Sequence, residues 1–124
     1  MKIALGLGLT EEAVHFAAQL GVKYAVWGMQ EFQTRGRSWV ELEVLLQARD
    51  FFAGAGLELR VLEGFPHSFY HQAMFGLPGR EEEIDHVCTS ILNMGRAGIP
   101  VLSYQRGARF RLSAWLYERH APGD

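Results

Sequence analysis

A chain of 124 residues and 14.0 kDa has room for one domain and not for two. Its 48% hydrophobic and 21% charged residues supply a packed core and exclude a disordered chain. A net charge of -2 and a pI near 6.2 give no field that would attract nucleic acid or an anionic membrane, so neither is expected as a partner. The single cysteine, Cys88, can make neither an internal disulfide nor a Cys-rich zinc site, which points to a reducing, cytoplasmic setting. Gly6, Gly8, Glu11 and Glu12 interrupt any signal-peptide core, and no later stretch approaches ~18 consecutive apolar residues, so no membrane span is expected.

Residues 3–7 form a short apolar run ended by glycine, and Thr10 stands where a helix N-cap would, with Glu11 and Glu12 in the first turn. Ala13, Phe16, Ala17 and Leu20 follow at helical spacing, and Gly21 supplies a terminating residue. Residues 22–27 are a second apolar run. A polar loop over residues 28–37 leads to Ser38, which forms a capping-box pattern with Glu41, and Leu42, Leu45, Leu46 and Phe52 define the apolar face of a second helix. Gly54 and Gly56 stop it before a third strand at residues 57–62.

Residues 63–80 carry Gly64, Pro66, Gly76, Pro78 and Gly79 and read as a long irregular loop. Glu81, Glu82 and Glu83 open a third long helix with Ile84, Val87, Cys88, Ile91 and Leu92 on one face, and Gly98 precedes a fourth strand at residues 99–104. Three joints, Gly21-Val22, Gly56-Leu57 and Gly98-Ile99, share one pattern. Short apolar strands alternating with helices imply parallel strands covered by helices, an α/β fold. Four such units fit an open sheet or half of an eight-stranded barrel; Gly6-Leu7-Gly8-Leu9-Thr10 is neither a dinucleotide fingerprint nor a P-loop.

The stretch Ile91-Leu92-Asn93-Met94-Gly95-Arg96-Ala97-Gly98-Ile99-Pro100-Val101-Leu102-Ser103-Tyr104 resembles the helix and fourth barrel strand of the mannonate dehydratases, members of the xylose-isomerase-like group of TIM barrels. Upstream, Leu57-Glu58-Leu59-Arg60-Val61-Leu62-Glu63-Gly64-Phe65-Pro66-His67 is similar to their third strand and its loop, in the same order and spacing. The resemblance covers residues 56–104. It implies that residues 1–104 are the N-terminal half of a β/α barrel, a partial TIM barrel of about four parallel strands.

The activity it implies is that of a lyase of hexuronate breakdown, which removes water from D-mannonate to give 2-keto-3-deoxygluconate with Mn²⁺ or Fe²⁺. In the family the metal ligands come from later strands, so this chain by itself is expected to bind no metal and to be inactive. Family members continue with an Asn-aromatic-Met-Pro turn where Gln105-Arg106-Gly107-Ala108 stands here. A sugar isomerase or epimerase of the same barrel group, or a non-enzymatic interaction module, are the alternative readings.

Barrel enzymes place their chemistry at the C-terminal ends of strands, which ranks the candidates. Glu63, His67, Tyr70 and His71 lie within nine residues after the third strand and offer acceptors, donors and two imidazoles. His67 and His71 are four apart, but Phe65-Pro66 before them and Gly76-Leu77-Pro78-Gly79 after them predict irregular backbone. For His67 the readings are a substrate contact, a metal ligand, or part of a polar loop packing Phe69, Tyr70 and Phe75 over the barrel mouth. Glu63 is a polar contact to substrate or a salt-bridge partner; Trp27 is an apolar wall for a sugar ring or a core residue. Tyr104 matches the family's tyrosine at the end of the fourth strand, and Gln30 and Gln105 occupy similar mouth positions.

His15 and His86 read as solvated helix positions and Cys88 as a buried small hydrophobe. Residues 105–124 form a basic, aromatic tail with Arg106, Arg109, Arg111 and Arg119 among Phe110, Trp115 and Tyr117. It reads as an amphipathic helix with Leu112, Trp115 and Leu116 inward, or as a nucleic-acid or phosphate surface. Half a barrel leaves two strand edges and an inward face with Ile3, Leu5, Val26, Val61 and Val101 uncovered, from which a homodimer or aggregation is expected, the alternative being a monomer whose tail folds back as a helix over one side.

Overall fold

The computed structural model describes residues 1–29 and 31–104, and of residues 31 and 32 the backbone alone. The order is β1 (Ala4–Gly6), α1 (Glu11–Gln19), β2 (Tyr24–Trp27), a 3-10 turn (Glu31–Thr34), α2 (Leu42–Gly54), β3 (Glu58–Glu63), a second 3-10 turn (His67–Phe69), α3 (His71–Phe75), α4 (Arg80–Ala97) and β4 (Val101–Ser103). The strands form one sheet in the order β1-β2-β3-β4, and every neighbouring pair is parallel. A doubly wound sheet reverses its strand order at a switch point, whereas a barrel keeps sequence order throughout. The fold is therefore α/β, a run of four parallel strands in barrel order with covering helices.

The three glycine-aliphatic joints are one closing motif. Gly21, Gly56 and Gly98 adopt left-handed backbone (φ +70°, +78° and +75°). The next N–H then folds back on the helix: Val22 to the Ala17 carbonyl at 3.2 Å, Leu57 to Phe52 at 2.9 Å, Ile99 to Met94 at 3.1 Å. At the other end of α1 the Thr10 hydroxyl accepts from the Ala13 N–H at 3.2 Å, with Glu11 and Glu12 in the first turn.

The core lies between one face of the sheet and the long helices. Ala25, Trp27, Leu59 and Leu62 from the strands, with Leu7 just after β1, meet Ala17, Val44, Leu45, Ala48, Phe52, Met94 and Ala97. Leu59 and Leu62 are an odd number of residues apart, so strict alternation would send them to opposite faces. A bulge reconciles them: Ala25 pairs with Leu59 but Val26 pairs with Val61, which leaves Arg60 as the extra residue.

Several expectations are corrected. The Ser38–Glu41 capping box does not form, and α2 starts one residue after Glu41, which makes no side-chain cap. The cause lies fifty residues away, where α4 takes hold of Val40. The Val40 N–H donates to the Ser90 hydroxyl at 2.9 Å and the Asn93 amide donates to the Val40 carbonyl at 2.8 Å. Glu41 instead pairs with Arg37 at 3.3 Å.

The same contact decides how α4 is rotated. Its inward residues are Val87, Ser90, Asn93, Met94 and Ala97, while Ile84 and Ile91 are each 46% exposed, Leu92 is 63% exposed, and Cys88 is exposed rather than buried. On α1, Ala13, Val14 and Ala17 pack inward and Phe16 and Leu20 stay exposed. Leu5 packs with the helix-side core, not on the inward face with Val26, Val61 and Val101. His15 is exposed, but His86 is half-buried with its ring 5.1 Å from that of Trp39. The proposed tail helix lies outside the described residues, and among the described residues no helix is long and apolar enough to cross a membrane.

Replacing Ser90 by Ala leaves a buried Val40 N–H without its acceptor, and replacing Asn93 by Ala orphans the Val40 carbonyl. Each substitution is expected to cost about 1–3 kcal/mol, read as a lowered urea midpoint at unchanged slope.

Candidate functional site

The C-terminal ends of the strands bring four backbone positions together. Glu63, the last residue of β3, pairs in register with Ser103, and a Cβ placed on Gly28 would stand 3.6 Å from the Glu63 Oε2. Gly64 turns the chain off the sheet in left-handed backbone (φ +71°), and a Cβ there would stand 3.7 Å from the Ser103 carbonyl. The exposed Glu63 carboxylate thus lies against Gly28 and has no ion-pair partner within salt-bridge distance among the described residues. Tyr104, 75% exposed, follows β4 at the same rim.

Above this rim stands the β3–α4 loop, and its backbone is regular where irregularity was expected. Pro66 opens a 3-10 turn in which its carbonyl accepts from the Phe69 N–H at 2.9 Å, and α3 follows at once, ending on Gly76 in left-handed backbone. A five-residue helix cannot sustain itself. The Glu83 Oε2 of α4 accepts from the Ala73 N–H at 2.8 Å, and Arg80 donates to the Gly76 carbonyl at 3.1 Å. Phe69, buried to 2% exposure, anchors the turn in the core with Phe65 stacked on it at 6.1 Å.

This scaffold brings the expected side chains into one row. The His67 ring lies 5.4 Å from Tyr70 and 5.3 Å from His71, and His71 lies 5.2 Å from Phe75, all edge to face. Spacing of four does put both imidazoles on one side, because the turn and α3 together act as a helical segment. The His67 Nε2 is buried and has no hydrogen-bond partner among the described residues, so its hydrogen-bonding capacity is unspent.

Other candidates fall elsewhere. Trp27 is 1% exposed on the helix side of the sheet and takes the core reading, so it forms no wall for a sugar ring; the bulky indole fills the space between β2 and the helices. Gln30 and Gln105 lie outside the described residues. Among the described residues no three His, Cys, Asp or Glu side chains converge as a metal site, so within them His67 and His71 have no third ligand for a divalent ion. At the opposite end of β3, Arg60 donates to Glu58 at 2.9 Å and holds its carboxyl below the usual range, which marks an ion-paired surface acid.

A depression of about 500 Å³ near Lys23, Arg49 and Glu58 belongs to that N-terminal end, where Arg49 is already bonded to Asp50 and to the Ala97 carbonyl. Barrels use that face for stability. The sequence reading missed Gly28, Ser103 and Glu83: the first two only matter once strands are in register, and Glu83 reads as one of three dipole partners until the loop folds onto it. Glu83→Ala removes the acceptor for the Ala73 N–H. It is expected to speed amide hydrogen exchange across residues 71–75 about tenfold while exchange in α2 and β3 stays unchanged.

No family model matches the chain. In sequence it is similar to mannonate dehydratases of Streptococcus equi subsp. zooepidemicus and Streptococcus pneumoniae, each 38% identical over an alignment of 86 residues that covers 64% of this chain and 23% of the relative. The mannonate dehydratase of Streptococcus suis is 37% identical over the same extent. In structure it is similar to the crystal structure of mannonate dehydratase from Streptococcus suis serotype 2, with a TM-score of 0.66 and 27% identity over 82% of this chain and 29% of that one. The chain thus spans about a quarter of the length of the curated relatives it matches. Across that quarter, its resemblance to the mannonate dehydratases holds in both sequence and backbone course.

Proposed function

We propose that this chain forms the substrate-contacting part of a mannonate dehydratase-like carbohydrate lyase and does not complete the reaction by itself. The similarity in sequence and backbone to proteins of that name carries the reading. The polar row above the strand ends is compatible with it. The reaction takes a proton from the carbon beside the substrate carboxylate and hydroxide from the next carbon, and the resulting enol becomes the 2-keto acid. In the intact barrel Mn²⁺ or Fe²⁺ would stabilise the negative charge that develops.

The chain's own residues bind and orient. The His67 and His71 imidazoles and the Tyr70 and Tyr104 hydroxyls offer hydrogen bonds to the acid and hydroxyls of an extended sugar acid, and the Glu63 carboxylate accepts from a hydroxyl. Phe75 and Tyr70 flank the imidazoles edge to face. No proton-transfer step is assigned to these groups.

Titration of the purified chain with D-mannonate is expected to shift the imidazole NMR signals of His67 and His71. The His67→Ala, His71→Ala variant is expected to weaken binding about tenfold, roughly 1.4 kcal/mol. A response to neutral aldoses but not to the acid would favour an isomerase or epimerase, and no response to either would overturn the reading. With Mn²⁺ and D-mannonate the chain alone is expected to release no 2-keto acid, because binding without stabilisation of the transition state gives no rate; sustained turnover in that assay would contradict this.

A further inference from the structure

We propose that two copies of this chain close one eight-stranded barrel about a two-fold axis running along the strand direction, each copy supplying four strands. The proposal is independent of the substrate and stands on the uncovered side of the sheet.

Parallel sheets are built to be covered on both faces, and here α1, α2 and α4 cover one. On the other side the strand register sets a single row across the sheet, Gly6–Val26–Val61–Val101. None of the three valines belongs to the helix-side core, and Val101 is 44% exposed. Three β-branched side chains and a glycine facing away from the helices suit the filled interior of a barrel, whose layers are drawn from alternate strands, and not a solvated sheet face. The two outer strands, β1 and β4, are each three residues long with one unpaired edge among the described residues. The helices beside those edges also leave apolar side chains in solvent, Phe16 and Leu20 on α1 and Ile91 and Leu92 on α4.

The occupant must satisfy both edges and the face at once. A two-fold along the strands sets β4 of one copy beside β1 of the other, in the parallel sense used by the three existing pairings, and does so at both seams. Four strands plus four give eight, the number at which side chains alone fill a barrel interior. An added peptide strand would close one edge and leave the other open, and a contact that does not close would propagate into fibres. A second copy therefore meets the whole requirement with an isologous contact.

Sedimentation equilibrium of the 124-residue chain at micromolar concentration is expected to give twice the 14.0 kDa chain mass. Val101→Asp puts a carboxylate into the closed interior and is expected to weaken the dimer about a hundredfold with helical circular dichroism retained, whereas Glu82→Gln on the exposed side of α4 leaves it unchanged. Should Val101→Asp fail to fold, the unaltered chain still decides. A nitroxide on Cys88, the single cysteine, is expected to report one long separation across the barrel by pulsed electron resonance. A monomer at every concentration, including one whose seams its own residues 105–124 cover, would overturn the proposal. So would a dimer indifferent to Val101→Asp, or a spread of separations from open-ended assembly.

Discussion

The arrangement of the helical layer depends on two buried hydrogen bonds to one residue. Val40 sits in the core with its N–H held by Ser90 and its carbonyl by Asn93, and neither polar group has water as an alternative. An unpaired buried amide would cost more than a paired one gains, so the contact is chiefly a constraint on what α4 cannot do. It cannot rotate its apolar stripe inward without abandoning Val40. The start of α2, the exposure of Ile84, Ile91 and Leu92, and the outward position of Cys88 all follow from that restriction.

The rotation also reaches the candidate site. Glu83 and Arg80 lie in the first turn of α4, and they supply the acceptor and the donor that hold α3 in place. The row of His67, Tyr70 and His71 is therefore a product of helix orientation as much as of its own loop. Local residues bring rings together, and a distant polar clamp decides where the support for them stands.

What could be read from the residues was whatever acts within a few positions. The Thr10 cap, the glycine joints and the alternation of strand and helix are each settled by neighbours three to five residues apart, and the parallel order follows from their repetition. The rotation of α4 could not be read in that way, because apolar periodicity favours Ile84, Cys88 and Ile91 and the overriding partners are fifty residues distant. The loop after β3 misled for a related reason. Pro66 and Gly76 signal interruption, yet Pro66 opens a turn and Gly76 caps one, and only contact with α4 makes the segment between them helical. Glu63 and His67 were accessible as candidates because strand ends in a β/α fold advertise themselves, while Trp27 at such an end turned to the core because its place in the strand alternation faces the helices.

The extra residue at Arg60 gives β3 two phases. Below it the strand is in step with the packing of Leu59, and above it Leu62 and Glu63 are displaced by one position relative to β2. The lower half of the strand answers to the hydrophobic layer and the upper half to the rim, with the bulge uncoupling them. Removing that residue would restore a regular ladder with Val61 still opposite Val26, so the Glu63 carboxylate would keep both its aim and its height at the rim. The bulge is in this sense an absorbed insertion: the strand takes up one residue in its middle and leaves the packing below and the acid above where a regular strand would hold them.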